Sequence, residues 1–138
     1  MEAALNWKSG LRFHAKTGAG SEIVFDGDNE ASDPGPMEGL LTSLAACTAM
    51  DVISILEKKR QKVTDYRLEV VGERPPKGVY PRPFTKIVIK HFIEGENVDE
   101  QAVARAIELS ESKYCSVAIT LKSAPEVINQ WQVSSREQ

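Results

Sequence analysis

Residues 40–56 form a stretch in which apolar side chains fall on every side of a helix instead of along one stripe. The pattern predicts a long helix over residues 37–60, and a helix that is apolar all round is buried all round. A chain of 138 residues with one small sheet can cover only one face of such a helix. A second copy of the chain is the economical cover for the other face. We therefore expect a homodimer with this helix near its centre.

Size and composition indicate one globular domain over residues 1–138. Apolar residues make up 41% and charged residues 27%, as in ordinary soluble proteins. The net charge of −3 offers no basic surface for nucleic acid. The N-terminus has no basic segment followed by an apolar one, so no signal peptide is predicted. Residues 40–56 are too polar and slightly too short for a membrane span, since they contain Thr42, Ser43, Asp51 and Ser54. We therefore expect a cytoplasmic protein without a membrane partner.

The order of predicted elements is βββ-α-ββ-α-β, which is an α+β arrangement. Two short strands interrupted by Ser9-Gly10 and a third strand over residues 21–27 suggest a meander, and the segment 26–36 is predicted as a loop. The other predicted elements are strands over 63–74 and 84–95, a helix over 100–114 with Asp99 as its N-cap, and a last strand over 128–133.

The chain contains two cysteines, Cys47 and Cys115, 68 positions apart. Cys47 lies in the middle of the long helix, where the field of the helix N-terminus is largely spent. Asp51, four residues later, disfavours a thiolate, and Glu38 lies half a turn away from the Cys47 face. Activation of Cys47 would then need a cation from elsewhere, for which Arg12 or Arg82 are candidates. By composition alone, an inert buried Cys47 is the commoner reading.

Cys115 is better placed for reactivity, because it follows a helix end and "CSVAIT" can open another short helix whose backbone N–H groups favour a thiolate. The alternative is a small packing residue at a corner. The two histidines, His14 and His91, are predicted to be hydrogen-bonded strand residues, and their spacing with the cysteines does not make a zinc site. Trp7 and Trp131 are predicted to be core or interface aromatics.

The segments "DPGPMEGLLTSLAACTAMDVISIL" and "KYCSVAITL", with the early "W-x-x-G-L-R-F" strand pair, resemble the OsmC/Ohr family of hydroperoxide-defence proteins. The resemblance spans nearly the whole chain and is strongest to a little-characterised OsmC-like branch. It implies an α+β fold that forms an intertwined homodimer, with long central helices wrapped by sheets from both chains.

The resemblance also implies a mechanism that uses no metal and no cofactor. Cys47, as a thiolate, attacks a small apolar hydroperoxide, and Cys115 resolves the resulting sulfenic acid as a disulfide. A dithiol, carried by a lipoylated protein in the best-known branch, then reduces the disulfide. The implied supporting residues are Arg12 and Glu38, although the position of the catalytic branch's glutamate is occupied here by Met37.

Two alternatives remain open at the level of sequence. One is a non-catalytic dimeric binding protein with an apolar pocket lined by thiols. The other is a redox sensor that forms a disulfide slowly and changes its association with another protein.

Overall fold

The computed structural model describes residues 1–28, 30 and 32–134. Its elements are β1 (Ala3–Ser9), β2 (Arg12–Thr17), β3 (Glu22–Asp26), α1 (Pro36–Lys58), β4 (Lys62–Glu73), β5 (Lys86–Glu96), α2 (Glu100–Leu109), a π turn (Ser110–Tyr114) and α3 (Ser116–Ser123). The fold is α+β, and the predicted order is confirmed from β1 to α2.

The N-terminal strands form an antiparallel sheet in the order β1-β2-β3. Every residue of β1 is exposed to solvent in the single chain. The exposed side chains include large apolar ones, Leu5, Trp7 and Ile23 among them. The N-terminal sheet therefore has an apolar surface that this chain does not cover.

The second sheet is the antiparallel pair β4-β5, and α1 and α2 pack together beside it. The buried core contains Val52 and Leu56 of α1 with Ala102 and Ala106 of α2. Partly buried side chains from both strands, including Tyr66, extend this core. Asp99 caps α2 as predicted, since its Oδ1 accepts a hydrogen bond from the Gln101 N–H at 2.9 Å.

Helix α1 buries one narrow stripe against its own chain. The buried residues are spaced four apart: Leu44, Thr48, Val52 and Leu56. Met50, on another side of the helix, is 69% exposed. One copy of the chain therefore covers one face of α1, as the all-round apolar pattern predicts.

Helix α1 is also long and apolar enough to cross a membrane when only its length and the mean hydropathy of 1.7 over an 18-residue window are considered. The polar residues Thr42, Ser43, Asp51 and Ser54 lie in this helix, but its 23 residues still meet the length and hydropathy criterion for a membrane span. A core helix of a soluble protein meets the same criterion.

The accessible surface of the single chain is large for its mass. It amounts to 11103 Å², whereas a compact monomer of 15.2 kDa exposes about 7,100 Å². The excess is about 4,000 Å² per chain, which is more than the roughly 1,000–2,500 Å² that each partner of an obligate dimer buries. The isolated chain is therefore an open structure with much apolar surface left uncovered.

Two details differ from the predicted elements. Residues 128–133, predicted as a strand, form no strand in the described chain, because no neighbouring strand edge pairs with them. The helix predicted over 100–114 divides into α2 and the π turn, and α3 follows it. Of the predicted loop 26–36, Asn29 and Ala31 lie outside the described residues.

Candidate functional site

The fold brings the two cysteines together. The Sγ atoms of Cys47, in the middle of α1, and of Cys115, just before α3, lie within 4.8 Å of each other. A carboxylate oxygen of Asp51 lies within the same distance of both sulfurs. Both thiols are free, with Cys47 partly exposed and Cys115 buried. The site is thus a sulfur pair with an adjacent carboxylate.

The π turn and α3 hold Cys115 against α1. The Cys115 N–H donates to the Ser110 carbonyl at 2.8 Å, which closes the π turn. Cys115 is the N-cap of α3, and its Sγ accepts a hydrogen bond from the Ala118 N–H at 3.4 Å. Thr48 Oγ1 lies 3.6 Å from the same sulfur. The predicted short helix after Cys115 is confirmed, and π turns of this kind are frequent at functional sites.

Groups around Cys47 shift the pKa of its thiol in opposite directions. The backbone amide of Val117, in the first turn of α3, lowers the pKa of the Cys47 thiol. Burial and the neighbouring Cys115 and Asp51 outweigh it, so the pKa lies above its ordinary value. An amide of the first turn of α3 thus lowers the pKa of the Cys47 thiol and another donates to the Cys115 sulfur, whereas the sequence predicted this influence for Cys115 alone.

Asp51 is held in place by a buried residue of the π turn. The Ser110 hydroxyl, fully buried, donates to Asp51 Oδ2 at 2.9 Å. Among the described residues, no lysine, arginine or histidine forms an ion pair with Asp51. Asp51 therefore has no ion-pair partner within the described part of the chain.

Arg12 and Glu38 make other contacts within this chain. The Arg12 guanidinium binds the carboxylates of Asp33 and Asp26. Glu38 Oε1 accepts a hydrogen bond from the Gly35 N–H at 3.0 Å and so caps α1. Glu38 precedes Cys47 by about 13 Å along the helix axis.

Arg82, the other candidate cation, donates through Nε to the Pro75 carbonyl at 2.9 Å. One chain thus brings together Cys47 and Cys115, and none of the three other predicted residues makes a described hydrogen bond or ion pair with them.

Two cavities flank the sulfur pair. The more apolar one, about 450 Å³, lies between α1 and β5 and is lined in part by Leu44, Thr48 and Ala118. Thr48 and Ala118 also contact the Cys115 sulfur. The other cavity, about 410 Å³, is lined in part by Asp51 and Lys58. Neither sulfur itself lines these two cavities.

His91, in the wall of the 450 Å³ cavity, is a hydrogen-bonded strand residue as predicted. Its Nδ1 lies 2.7 Å from the hydroxyl of Tyr66 on β4. Burial lowers the pKa of His91 and raises the pKa of Tyr66 to about 12. In contrast, Trp7 and Trp131 are 65% and 86% exposed, so neither is a core residue of the single chain, and their interface role stays a prediction.

Sequence reasoning missed Thr48, Ser110 and Val117 as parts of the site. Ser110 lies 59 positions from Asp51, and this distance in sequence hid their hydrogen bond. Val117 acts through its backbone amide, which no residue type reveals. A signal for Thr48 existed, because it follows Cys47 directly in a helix that was predicted to be buried.

Comparison with known proteins gives a consistent relationship. The family model described as OsmC-like protein matches residues 27–129. Protein YhfA of Escherichia coli K12 is 38% identical over 96% of this chain and 98% of its own length. A crystal structure of a hypothetical protein from Aquifex aeolicus VF5 has a TM-score of 0.77 and 35% identity, over 99% of this chain and 97% of that one.

More distant structures share the fold alone. The organic hydroperoxide resistance protein OhrB of Bacillus subtilis superposes with a TM-score of 0.58 at 14% identity, over 90% of this chain and 93% of that one. The family model covers most of the chain, and YhfA is related over nearly its full length. The chain therefore belongs to the OsmC-like protein family.

Proposed function

We propose that this protein reduces organic hydroperoxides, with Cys47 as the attacking thiol and Cys115 as the resolving thiol. The observation that carries the proposal is the approach of the two sulfurs to within 4.8 Å. A disulfide needs an S–S distance of about 2.05 Å, so a small movement of one side chain suffices. The name of the OhrB relative, an organic hydroperoxide resistance protein, supports the choice of oxidant.

The roles of Cys47 and Cys115 are assigned from their different exposure to solvent. Cys47 is partly exposed, whereas Cys115 is fully buried. The cysteine that solvent reaches in the single chain is the one that can meet a peroxide. The amide of Val117 assists Cys47 by lowering the pKa of its thiol.

The proposed chemistry has three balanced steps. The Cys47 thiolate attacks one oxygen of ROOH, the O–O bond breaks, and the leaving alkoxide takes up a proton to give ROH and Cys47 sulfenic acid. The Cys115 sulfur displaces the sulfenic hydroxyl, which leaves as water, and the disulfide forms. An external dithiol, which we propose is a lipoylated protein, reduces the disulfide by exchange and becomes a disulfide itself.

The apolar cavity supports an organic substrate. Its wall contains Leu44, Ile87 and Ile89, and about 450 Å³ is a volume typical of small-molecule sites. A hydrocarbon substituent gains from burial there, which hydrogen peroxide cannot do. We therefore propose that the preferred substrate carries an apolar group.

We further propose that the active form is a homodimer in the cytoplasm, where thiols are kept reduced. The exposed apolar residues of α1 and of the N-terminal sheet support a second copy as their cover.

We propose that assembly brings Arg12 and Glu38 to the Cys47 of a neighbouring copy. If so, Arg12→Gln lowers kcat/KM for the peroxide while Arg74→Gln does not; equal rates for wild type and both variants would contradict this role.

Steady-state peroxide consumption tests the enzymatic proposal. With cumene hydroperoxide and dihydrolipoamide, wild-type protein turns over, while Cys47→Ser loses all consumption. In a parallel reaction without dihydrolipoamide, Cys115→Ser consumes one equivalent and then stops as a Cys47 sulfenic acid, which a dimedone-type reagent traps. Equal rates with and without the protein would overturn the proposal.

The rival function is a non-catalytic binding or redox-sensing protein. The raised pKa of the Cys47 thiol favours it, because a protonated thiol attacks peroxides slowly. This rival predicts binding of apolar ligands in the cavity, or slow disulfide formation, without turnover in the assay above.

A further inference from the structure

We infer that the reduced site binds one Zn²⁺ ion through Cys47 Sγ, Cys115 Sγ and a carboxylate oxygen of Asp51. The inference concerns the reduced thiols alone and does not depend on the peroxidase proposal. It rests on three ligand atoms that lie within 4.8 Å of one another, on the contacts that orient them, and on the charge of the cluster.

The distances fit a zinc site after a modest contraction. Zn–S bonds are about 2.3 Å and Zn–O bonds about 2.0–2.2 Å, so tetrahedral ligand atoms lie about 3.5–3.8 Å apart. The present upper limit of 4.8 Å exceeds that by about 1 Å. Rotation of the partly exposed Cys47 side chain can supply this movement. Three protein ligands leave the fourth tetrahedral position to water, as in catalytic zinc sites.

The residues around the ligands already orient them. The buried Ser110 hydroxyl donates to Asp51 Oδ2 at 2.9 Å, which leaves the other carboxylate oxygen available. The Ala118 N–H donates to Cys115 Sγ at 3.4 Å, and Thr48 Oγ1 lies 3.6 Å from that sulfur. Outer contacts of this kind hold metal ligands in position and stabilise a thiolate.

Charge favours a cation at this place. Within the described residues, no cationic side chain forms an ion pair with Asp51. Binding converts two thiols to thiolates and releases two protons, so the complex of Zn²⁺, two thiolates and one carboxylate has a charge of −1. Thiolate ligands select a soft or borderline cation such as Zn²⁺ over Mg²⁺ or Ca²⁺.

Zinc binding controls whether the two thiols can be oxidised to a disulfide. A metal-bound sulfur pair cannot close to a disulfide until the metal leaves. Conversely, a disulfide removes two of the three ligands. Zinc binding and thiol oxidation are therefore mutually exclusive at this site.

Isothermal titration of fully reduced protein with ZnCl₂ tests the inference. We expect one Zn²⁺ per chain and the release of two protons, measured in buffers of different ionisation enthalpy. Protein oxidised with diamide should lose the binding and recover it after reduction, a comparison that needs no variant. No stoichiometric binding by reduced protein, or unchanged binding after disulfide formation, would overturn the inference.

Variants locate the ligands. Cys47→Ser, Cys115→Ser and Asp51→Asn should each weaken binding, while Glu57→Gln, an exposed carboxylate change on the same helix, should not. Ser110→Ala should weaken binding by about tenfold or more, the usual effect of removing an orienting contact. Wild-type affinity in Asp51→Asn, or in either cysteine variant, would refute the three-ligand site.

Discussion

The sulfur of Cys115, at the start of α3, lies within 4.8 Å of the sulfur of Cys47, in the middle of α1, although 68 positions separate them in the chain. The contact depends on the π turn at residues 110–114, which ends α2 and turns the chain back toward α1. Thr48 and Ala118 hold the buried sulfur at this point. The relationship gives the chain a sulfur pair that can interact directly without a large rearrangement.

The N-cap role of Cys115 predicts an unusual tolerance of serine. Serine is among the best N-cap residues, so Cys115→Ser should keep the hydrogen bond from the Ala118 N–H and change stability little. Cys115→Ala removes that acceptor and should be less stable than the serine variant, since replacing a serine N-cap by alanine typically costs about 1 kcal/mol. Urea unfolding of the two variants beside wild type measures the difference. A serine variant less stable than the alanine variant would contradict the capping role.

The carboxylate of Asp51 should make Cys47 less reactive. The amide of Val117 lowers the pKa of the Cys47 thiol, but burial, Cys115 and Asp51 raise it. Asp51→Asn removes one raising influence, so the pKa should fall and alkylation by iodoacetamide at pH 7 should quicken. The rate of alkylation against pH, followed by mass spectrometry of the Cys47 peptide, measures this. Glu57→Gln is the control, and a slower Asp51→Asn variant would refute the effect.

Alkaline pH should destabilise the fold through Tyr66. Burial raises its pKa to about 12 in the folded protein, whereas an unfolded tyrosine has a pKa of about 10. The stabilising contribution of neutral Tyr66 is therefore complete below pH of about 10 and is lost as the pH rises toward about 12. Thermal melts across this range should show the loss, and Tyr66→Phe should flatten it. If Tyr66→Phe lost stability equally steeply over this pH range, the loss would come from other titrating groups.

Acidic pH should destabilise the fold through His91, whose ring lies within hydrogen-bond distance of the Tyr66 hydroxyl. Burial lowers the pKa of His91 in the folded protein, so the unfolded chain takes up the proton more readily. Stability from neutral His91 is present above the unfolded pKa of about 6.5 and declines as the pH falls through the lower folded pKa. Urea unfolding at a series of pH values for wild type and His91→Phe measures this, and identical pH profiles would contradict it.

The exposed apolar side of α1 predicts dimerisation. Met50 is 69% exposed in one chain, and a second copy would bury it. Met50→Lys would place a charge in that interface and should shift the protein toward monomer or reduce its solubility. Analytical ultracentrifugation measures the association, with Gln101→Lys as a helical surface control. A wild-type protein that stays monomeric at micromolar concentration would contradict the dimer.

Much of the fold could be predicted from sequence because local patterns dominate it. The strand boundaries follow Gly and Pro signals, Asp99 caps its helix, and the apolar residues of α1 extend around all its faces. The strand predicted over residues 128–133 is wrong for the single chain, because a strand requires a partner edge, which its own sequence does not reveal.

The candidate site was predictable only in part. The two cysteines could be named from sequence, and their proximity followed from the family resemblance alone. The hydrogen bond from Ser110 to Asp51 and the amide of Val117 near Cys47 arise from the π turn. A π turn inserts one residue per turn relative to an α-helix, and no residue pattern in the chain indicated it. Contacts between residues far apart in the sequence therefore could not be predicted from the local spacing of residue types.

A single-turnover oxidation tests the central claim most directly. Reduced protein is mixed with one equivalent of cumene hydroperoxide, and free thiols, the alcohol product and the intact mass are measured over seconds to minutes. The proposed chemistry predicts that two thiols are lost per chain, that one cumyl alcohol appears, and that the mass falls by two hydrogens through a Cys47–Cys115 disulfide. Unchanged thiols with intact peroxide would contradict it.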